Sequence, residues 1–116
     1  MAATLYGIKN CDTMKKAWTW LDQHNVAYDF HDYKKSGIDH ATLAGWVAKL
    51  GWEVLVNRAG TTFKKLPDAD KQGLDETKAI ALMMAQPSMI KRPVLSIDGH
   101  LLVGFKPELY AALPPA

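Results

Sequence analysis

The chain has 116 residues, 48% of them hydrophobic and 22% charged, with a formal net charge of +2 and a single cysteine. That length suits one domain with a core of its own, and the composition is that of a globular protein, not a disordered one. So small a charge gives no footprint for nucleic acid or an anionic membrane, no apolar run reaches the length of a membrane span, and a lone cysteine excludes an intramolecular disulfide.

Residues 4–8, Thr-Leu-Tyr-Gly-Ile, read as a buried first strand. The run is too short for a secretory signal, and one free cysteine fits a reducing compartment, so a cytoplasmic protein is expected. A helix is predicted from near Asp12 or Thr13, either an acceptable N-cap, with Met14, Ala17, Trp18 and Leu21 as its buried stripe. Trp18 and Trp20 are assigned to core and partly exposed packing. Val26, Tyr28 and Phe30 alternate with Ala27, Asp29 and His31, which predicts a second strand within 26–33. Strand, helix and strand in this order make a βαβ unit with parallel strands.

Lys34-Lys35-Ser36-Gly37 reads as a solvated loop. Asp39 can cap a second helix with the stripe Leu43, Trp46, Val47 and Leu50, stopped by Gly51. Residues 55–65 are less regular. A third helix opens at Leu74 or Asp75, carries Ile80, Met83 and Met84 on one face as core filler, and ends at Pro87. Residues 94–97 and 100–103 are two strands joined by Asp98-Gly99, a strong hairpin signal, and a short helix follows Pro107.

The order is β-α-β, helical material, then β-β-α. This is an α/β chain with the element order of the thioredoxin fold, in one domain spanning 1–116 with a helical insertion at about 39–86. In that fold the first βα turn carries the reactive cysteine, and a proline, typically cis, opens the third strand; Cys11 and Pro93 stand at those places.

Cys11 lies between polar Asn10 and Asp12 at the N-terminus of a helix. Unpaired backbone N–H groups and the helix dipole favour a thiolate there, and Lys9, Lys15 and Lys16 add positive charge. A buried structural cysteine is the commoner fate of a lone thiol, but the polar turn favours a reactive one. Asp12 and Thr13 position the thiolate or cap the helix. His24, His31, His40 and His100 show no metal-ligand spacing and are read as surface residues, and no metal is expected.

Five segments taken together carry a resemblance: Leu5 to Thr13 around Cys11, Tyr33-Lys34-Lys35, Asn57-Arg58, Lys91-Arg92-Pro93 and Gly104-Phe105-Lys106-Pro107. In their order and spacing the chain resembles the arsenate reductase/Spx (ArsC-like) family, most of all its small YffB-type branch of glutathione-dependent thiol reductases. In the arsenate reductases of that family three arginines surround the nucleophilic cysteine and hold the oxyanion. The first matches Arg58 and the second Arg92; the third falls on Lys106. Lysine keeps the charge but loses the planar fork that grips an oxyanion bidentately, so the resemblance implies weakened arsenate chemistry while permitting a glutathione carboxylate. The Spx branch carries a second cysteine three residues after the first, where this chain has Met14.

The resemblance implies a glutathione-dependent thiol oxidoreductase with Cys11 as nucleophile, Arg58, Arg92 and Lys106 as anion-binding groups, and Asn10, Asp12, Thr13 and Pro93 in support. No bound cofactor is expected. Glutathione is the expected co-substrate, a small oxidised or disulfide compound the substrate, and glutaredoxin a candidate partner of a monomeric protein. The alternative is an Spx-like regulator that binds a transcription complex without turnover. An acidic Cys11 separates the two, since only the reductase requires it.

Overall fold

A computed structural model describes residues 3–9, 11–97 and 99–112. The chain forms two compact units, residues 1–36 with 92–116, and residues 37–91.

The first unit is built on a four-stranded sheet in the order β2-β1-β3-β4. Strand β1 (Ala3–Gly7) lies parallel to β2 (Asp29–Asp32) and antiparallel to β3 (Val94–Ile97), which pairs antiparallel with β4 (His100–Val103). The parallel pairing expected of the βαβ unit and the hairpin expected at 94–103 are both present. Of that hairpin's turn, Asp98 lies outside the described residues, and Gly99 takes a φ of +79°, open to glycine at no steric cost. This topology, with its helices, is the thioredoxin-like α/β fold.

Helix α1 (Asp12–Gln23) crosses between β1 and β2, burying Met14, Ala17 and Leu21. These side chains join Ala3, Leu5, Leu95, Ile97 and Tyr110 in one core, with Cys11, Trp18 and Trp20 packed at its margin. Complete burial of a side chain such as Leu5 or Leu21 contributes about 1.5–3 kcal/mol. Gly7 lets the helix approach closely: a Cβ there would collide with the Met14 side chain. Asn25 then takes a left-handed φ of +56° and ends the helical segment.

Val26, Tyr28 and Phe30 pack on the core as their alternation predicts, but β2 is shorter than expected and begins only at Asp29. Tyr33 to Ser36, expected as strand end and loop, instead form the one-turn helix α2 (Tyr33–Ser36). The reason is local: the Asp32 carboxylate accepts from the Lys34 N–H at 2.9 Å, which supplies a cap. The Arg92–Pro93 bond is cis. After β4 the short helix α8 (Pro107–Ala111) buries Tyr110 against the sheet core.

The second unit contains the helical segment expected at about 39–86. Helix α3 (His40–Leu50) is capped by Asp39, whose carboxylate accepts from the Thr42 N–H at 3.2 Å, and Gly51 ends it with a φ of +89°. Three one-turn helices follow, α4 (Trp52–Leu55), α5 (Thr61–Lys64) and α6 (Asp68–Lys71); α5 falls in the stretch 55–65 that reads as irregular, and the sequence signals no element at α4 or α6. Helix α7 (Glu76–Ala85) is capped by Asp75, which accepts from the Lys78 N–H at 2.8 Å. It buries Ala79 and Met83 and packs on α3 and α4. Pro87 opens a 3-10 turn through Met89. Among the described residues, no helix is long and apolar enough to cross a membrane.

Candidate functional site

Cys11 is itself the N-cap of α1, with extended backbone angles, and its carbonyl accepts from the Lys15 N–H at 3.1 Å. This corrects the expectation that Asp12 or Thr13 would cap the helix. Asp12 is the first helical residue, exposed, with its charge in the first turn, where it complements the helix dipole. The local reason is that β1 ends at Gly7 and the chain needs only a short turn before Met14 must reach the core.

The Cys11 side chain is half-buried. Burial alone would push its pKa up. The N–H of Met14, the Arg92 guanidinium, which donates to Sγ, and the N–H of Thr13 act against this, and the charge of Arg92 adds to them; the result is a thiol held below its ordinary range. Sγ makes no full capping hydrogen bond of the Ser or Asp kind, as expected of a large, weakly accepting atom, so the backbone donors remain directed at whatever charge develops on sulfur. Thr13 thus supports the thiol through its backbone. Lys9, Lys15 and Lys16, expected to add charge, are exposed and not among the groups that shift it. Water screens them.

Arg92 is half-buried two residues before β3, immediately before buried Pro93, whose carbonyl accepts from the Gly104 N–H at 2.8 Å. The fold therefore joins residues 81 positions apart in sequence (92 − 11) into one pair. Lys106 is exposed and is the N-cap of α8, its carbonyl accepting from the Leu109 N–H at 2.9 Å. Asn10 lies outside the described residues.

Arg58 belongs to the second unit. The backbone around it is pinned where Asn57 N–H donates to Met89 O at 2.8 Å and Lys91 N–H donates to Leu55 O at 2.7 Å, around the isolated bridge between Val56 and Ile90. The Arg58 side chain is exposed and its guanidinium sits 5.3 Å over the Trp52 ring, a cation–π contact. Arg58, Asn57 and Lys91 line one shallow groove with Glu53. In the sequence Lys91 stands only as part of the motif Lys91-Arg92-Pro93, with no role of its own.

His31 was expected at the surface; it is half-buried, with its ring 4.9 Å from Tyr6 and 6.1 Å from Tyr33. Among the described residues, no three His, Cys, Asp or Glu side chains gather as a metal site.

The model of the ArsC family matches residues 6–113. A protein of Haemophilus influenzae, itself uncharacterized, is 44% identical over 109 residues, covering 94% of this chain and 96% of its own. The global transcriptional regulator Spx of Streptococcus mutans is 28% identical over 96% of this chain and 82% of its own length. A solved YffB structure matches at 67% identity with a TM-score of 0.92, covering 95% of this chain and 96% of that one. An arsenate reductase related protein of Brucella melitensis matches at 58% identity with a TM-score of 0.77, over 97% of this chain and 93% of that one. The segments that suggested a resemblance are thus part of a likeness running almost end to end, and the chain belongs to the ArsC family.

Proposed function

We propose that the protein is a thiol oxidoreductase working through the Cys11 thiolate, with glutathione as thiol co-substrate and a small oxidised or disulfide compound as substrate. The observation that carries this reading is the Arg92 guanidinium donating to a cysteine sulfur at the N-terminus of α1. Thiolates are the nucleophiles of disulfide exchange, and this pair favours the thiolate.

In the first step the Cys11 thiolate attacks one sulfur of the substrate disulfide. A bond forms from Cys11 to that sulfur, the substrate S–S bond breaks, and the other half leaves as a thiolate. No second cysteine exists in the chain to resolve the product. A glutathione thiolate therefore attacks the outer sulfur of the mixed disulfide, freeing Cys11 as a thiolate and carrying the substrate fragment away as a glutathione disulfide. Arg92 holds the charge on sulfur at both ends of the cycle. The same reading gives Arg58 and Lys106 to anion binding and leaves Asp12, Thr13 and Pro93 in support, with Asn10 beside them in sequence. The groove that Arg58 shares with Lys91 suits a carboxylate such as those of glutathione. Lysine at position 106 disfavours arsenate as the physiological substrate.

A second reading is a redox-independent regulator of the Spx kind, favoured by the 28% identity to Spx over most of the chain. Incubation with oxidised glutathione followed by mass spectrometry, with turnover assays on disulfides and on arsenate, separates the two. The reductase should carry one glutathione on Cys11, lose it to reduced glutathione, and turn over. A Cys11 that stays unmodified, with no turnover, would leave the regulator as the better account.

A further inference from the structure

The groove around Arg58 offers about 380 Å³, within the range of small-ligand sites, and every residue that lines it belongs to the helical unit. Val56 and Ala59 are its aliphatic lining, and its charged side chains are Glu53, Arg58 and Lys91. The backbone that carries them is fixed before any ligand arrives. The bridge between Val56 and Ile90 is flanked by the bonds from Asn57 N–H to Met89 O at 2.8 Å and from Lys91 N–H to Leu55 O at 2.7 Å. Arg58 is held over the Trp52 ring, and Glu53 directly follows Trp52 in α4. Among the described residues, the Glu53 and Lys91 side chains have no hydrogen bond or ion pair, and the contact of Arg58 is with the indole.

Two cations alone would suit any carboxylate or oxyanion. Glu53 narrows what fits: it repels a ligand that is only negative, while Arg58 and Lys91 repel one that is only positive. A ligand carrying both signs a few bonds apart satisfies all three side chains. The α-amino acid group is such a ligand, with a carboxylate and an ammonium on one carbon. The γ-glutamyl end of glutathione carries this group, whereas its glycine end carries a carboxylate alone.

We propose that Glu53 determines the specificity of the groove: its carboxylate accepts from the α-ammonium of a γ-glutamyl thiol, while Arg58 and Lys91 donate to the α-carboxylate on the same carbon. The inference rests on glutathione being the thiol co-substrate, and it fixes which end of the tripeptide the groove takes. Arg58 offers the carboxylate a planar fork and Lys91 a point charge. Glu53 also lies in the first turn of α4, where an acid favours the helix N-terminus. That role needs no ligand, so a ligand-dependent effect separates the two.

The test is equilibrium titration of the full chain with S-methylglutathione, which cannot exchange with Cys11, and with its N-acetyl derivative, which keeps both carboxylates and lacks the ammonium. N-acetylation should weaken binding about two- to fivefold, the scale of one exposed ion pair. Glu53→Gln should weaken S-methylglutathione by a similar factor and leave the N-acetyl derivative unmoved. S-methyl-γ-glutamylcysteine, which lacks the glycine, should depend on Glu53 in the same way. If S-methylglutathione fails to bind, or Glu53→Gln shifts both ligands equally, the assignment is overturned. Intact mass after exposure to oxidised glutathione tests the thiol reading apart. A mixed disulfide on Cys11, with no Glu53-dependent difference between the ligands, refutes the assignment and leaves the thiol reading standing. A Glu53-dependent difference with no mixed disulfide supports the binding site and overturns the thiol reading.

Discussion

Two arginines, one in each compact unit, carry the same family resemblance and sit in opposite physical settings. Arg92, in the sheet unit, is half-buried and donates to the Cys11 sulfur. Arg58, in the helical unit, is exposed, lies over Trp52 and shares a groove with Lys91. A charge in a partly dry setting acts strongly on one neighbour, whereas an exposed charge is screened and contributes mainly to attraction of a ligand. The difference teaches that matching a motif does not make residues equal: Arg92 acts on one half-buried sulfur, whereas Arg58 lies over an indole at an exposed groove.

The largest effect tests whether the sheet unit holds the reactive centre at all. Cys11→Ser should lower thiol–disulfide turnover by about a thousandfold or more, because a hydroxyl is a far poorer nucleophile at neutral pH, while circular dichroism stays that of the wild type. Next, Arg92→Ala removes a charged hydrogen bond to the Cys11 sulfur, worth about 1.5–3 kcal/mol, and should slow alkylation of Cys11 at neutral pH by about tenfold or more. Arg58→Ala should sharpen the contrast. An exposed ion pair is worth about 0.2–1 kcal/mol, so KM for the thiol co-substrate should rise by at most about fivefold with kcat retained. A loss from Arg58→Ala as large as that from Arg92→Ala, and falling on kcat, would break the comparison.

The smallest effect is on stability. The Cys11 pKa is lower in the folded protein than in the unfolded chain, so the folded state gains relative to the unfolded one wherever the thiolate is bound. The gain is fully present above the pKa of an ordinary thiol and is lost as pH falls through the folded value. Chemical denaturation of wild type and Cys11→Ser across this range should show wild type gaining on the mutant as pH rises. A constant difference would contradict the favoured thiolate.

The sheet unit was largely legible in the sequence. The alternation of Val26, Tyr28 and Phe30, the stripe of Met14, Ala17 and Leu21, and the hairpin signal between β3 and β4 each report a periodicity or a pairing that the sheet unit shows. The helical unit was legible only where helices exceed two turns. Helices α4, α5 and α6 each run for four residues, too short for a stripe to repeat. Capping details were harder. Asp39 caps through its own side chain as expected, and Asp75, one of the two residues expected to open the third helix, does the same, but Cys11 caps α1 by backbone position, which its residue type does not advertise. Asp32 turned a supposed loop into α2 through one hydrogen bond. At the site, Cys11 and Arg92 are legible from residue type and motif, while Tyr33 stands in the sequence only as part of a motif. Its burial comes from tertiary packing against Tyr6 and His31, which no local pattern records.

The pairing of Cys11 with Arg92 is the central claim, and titration of the thiol tests it most directly. Ultraviolet thiolate absorbance against pH, in wild type and in Arg92→Ala, should place the wild-type Cys11 below an ordinary thiol and move it upward in the variant. A wild-type titration at or above that of an ordinary thiol, or one that Arg92→Ala leaves in place, would contradict it.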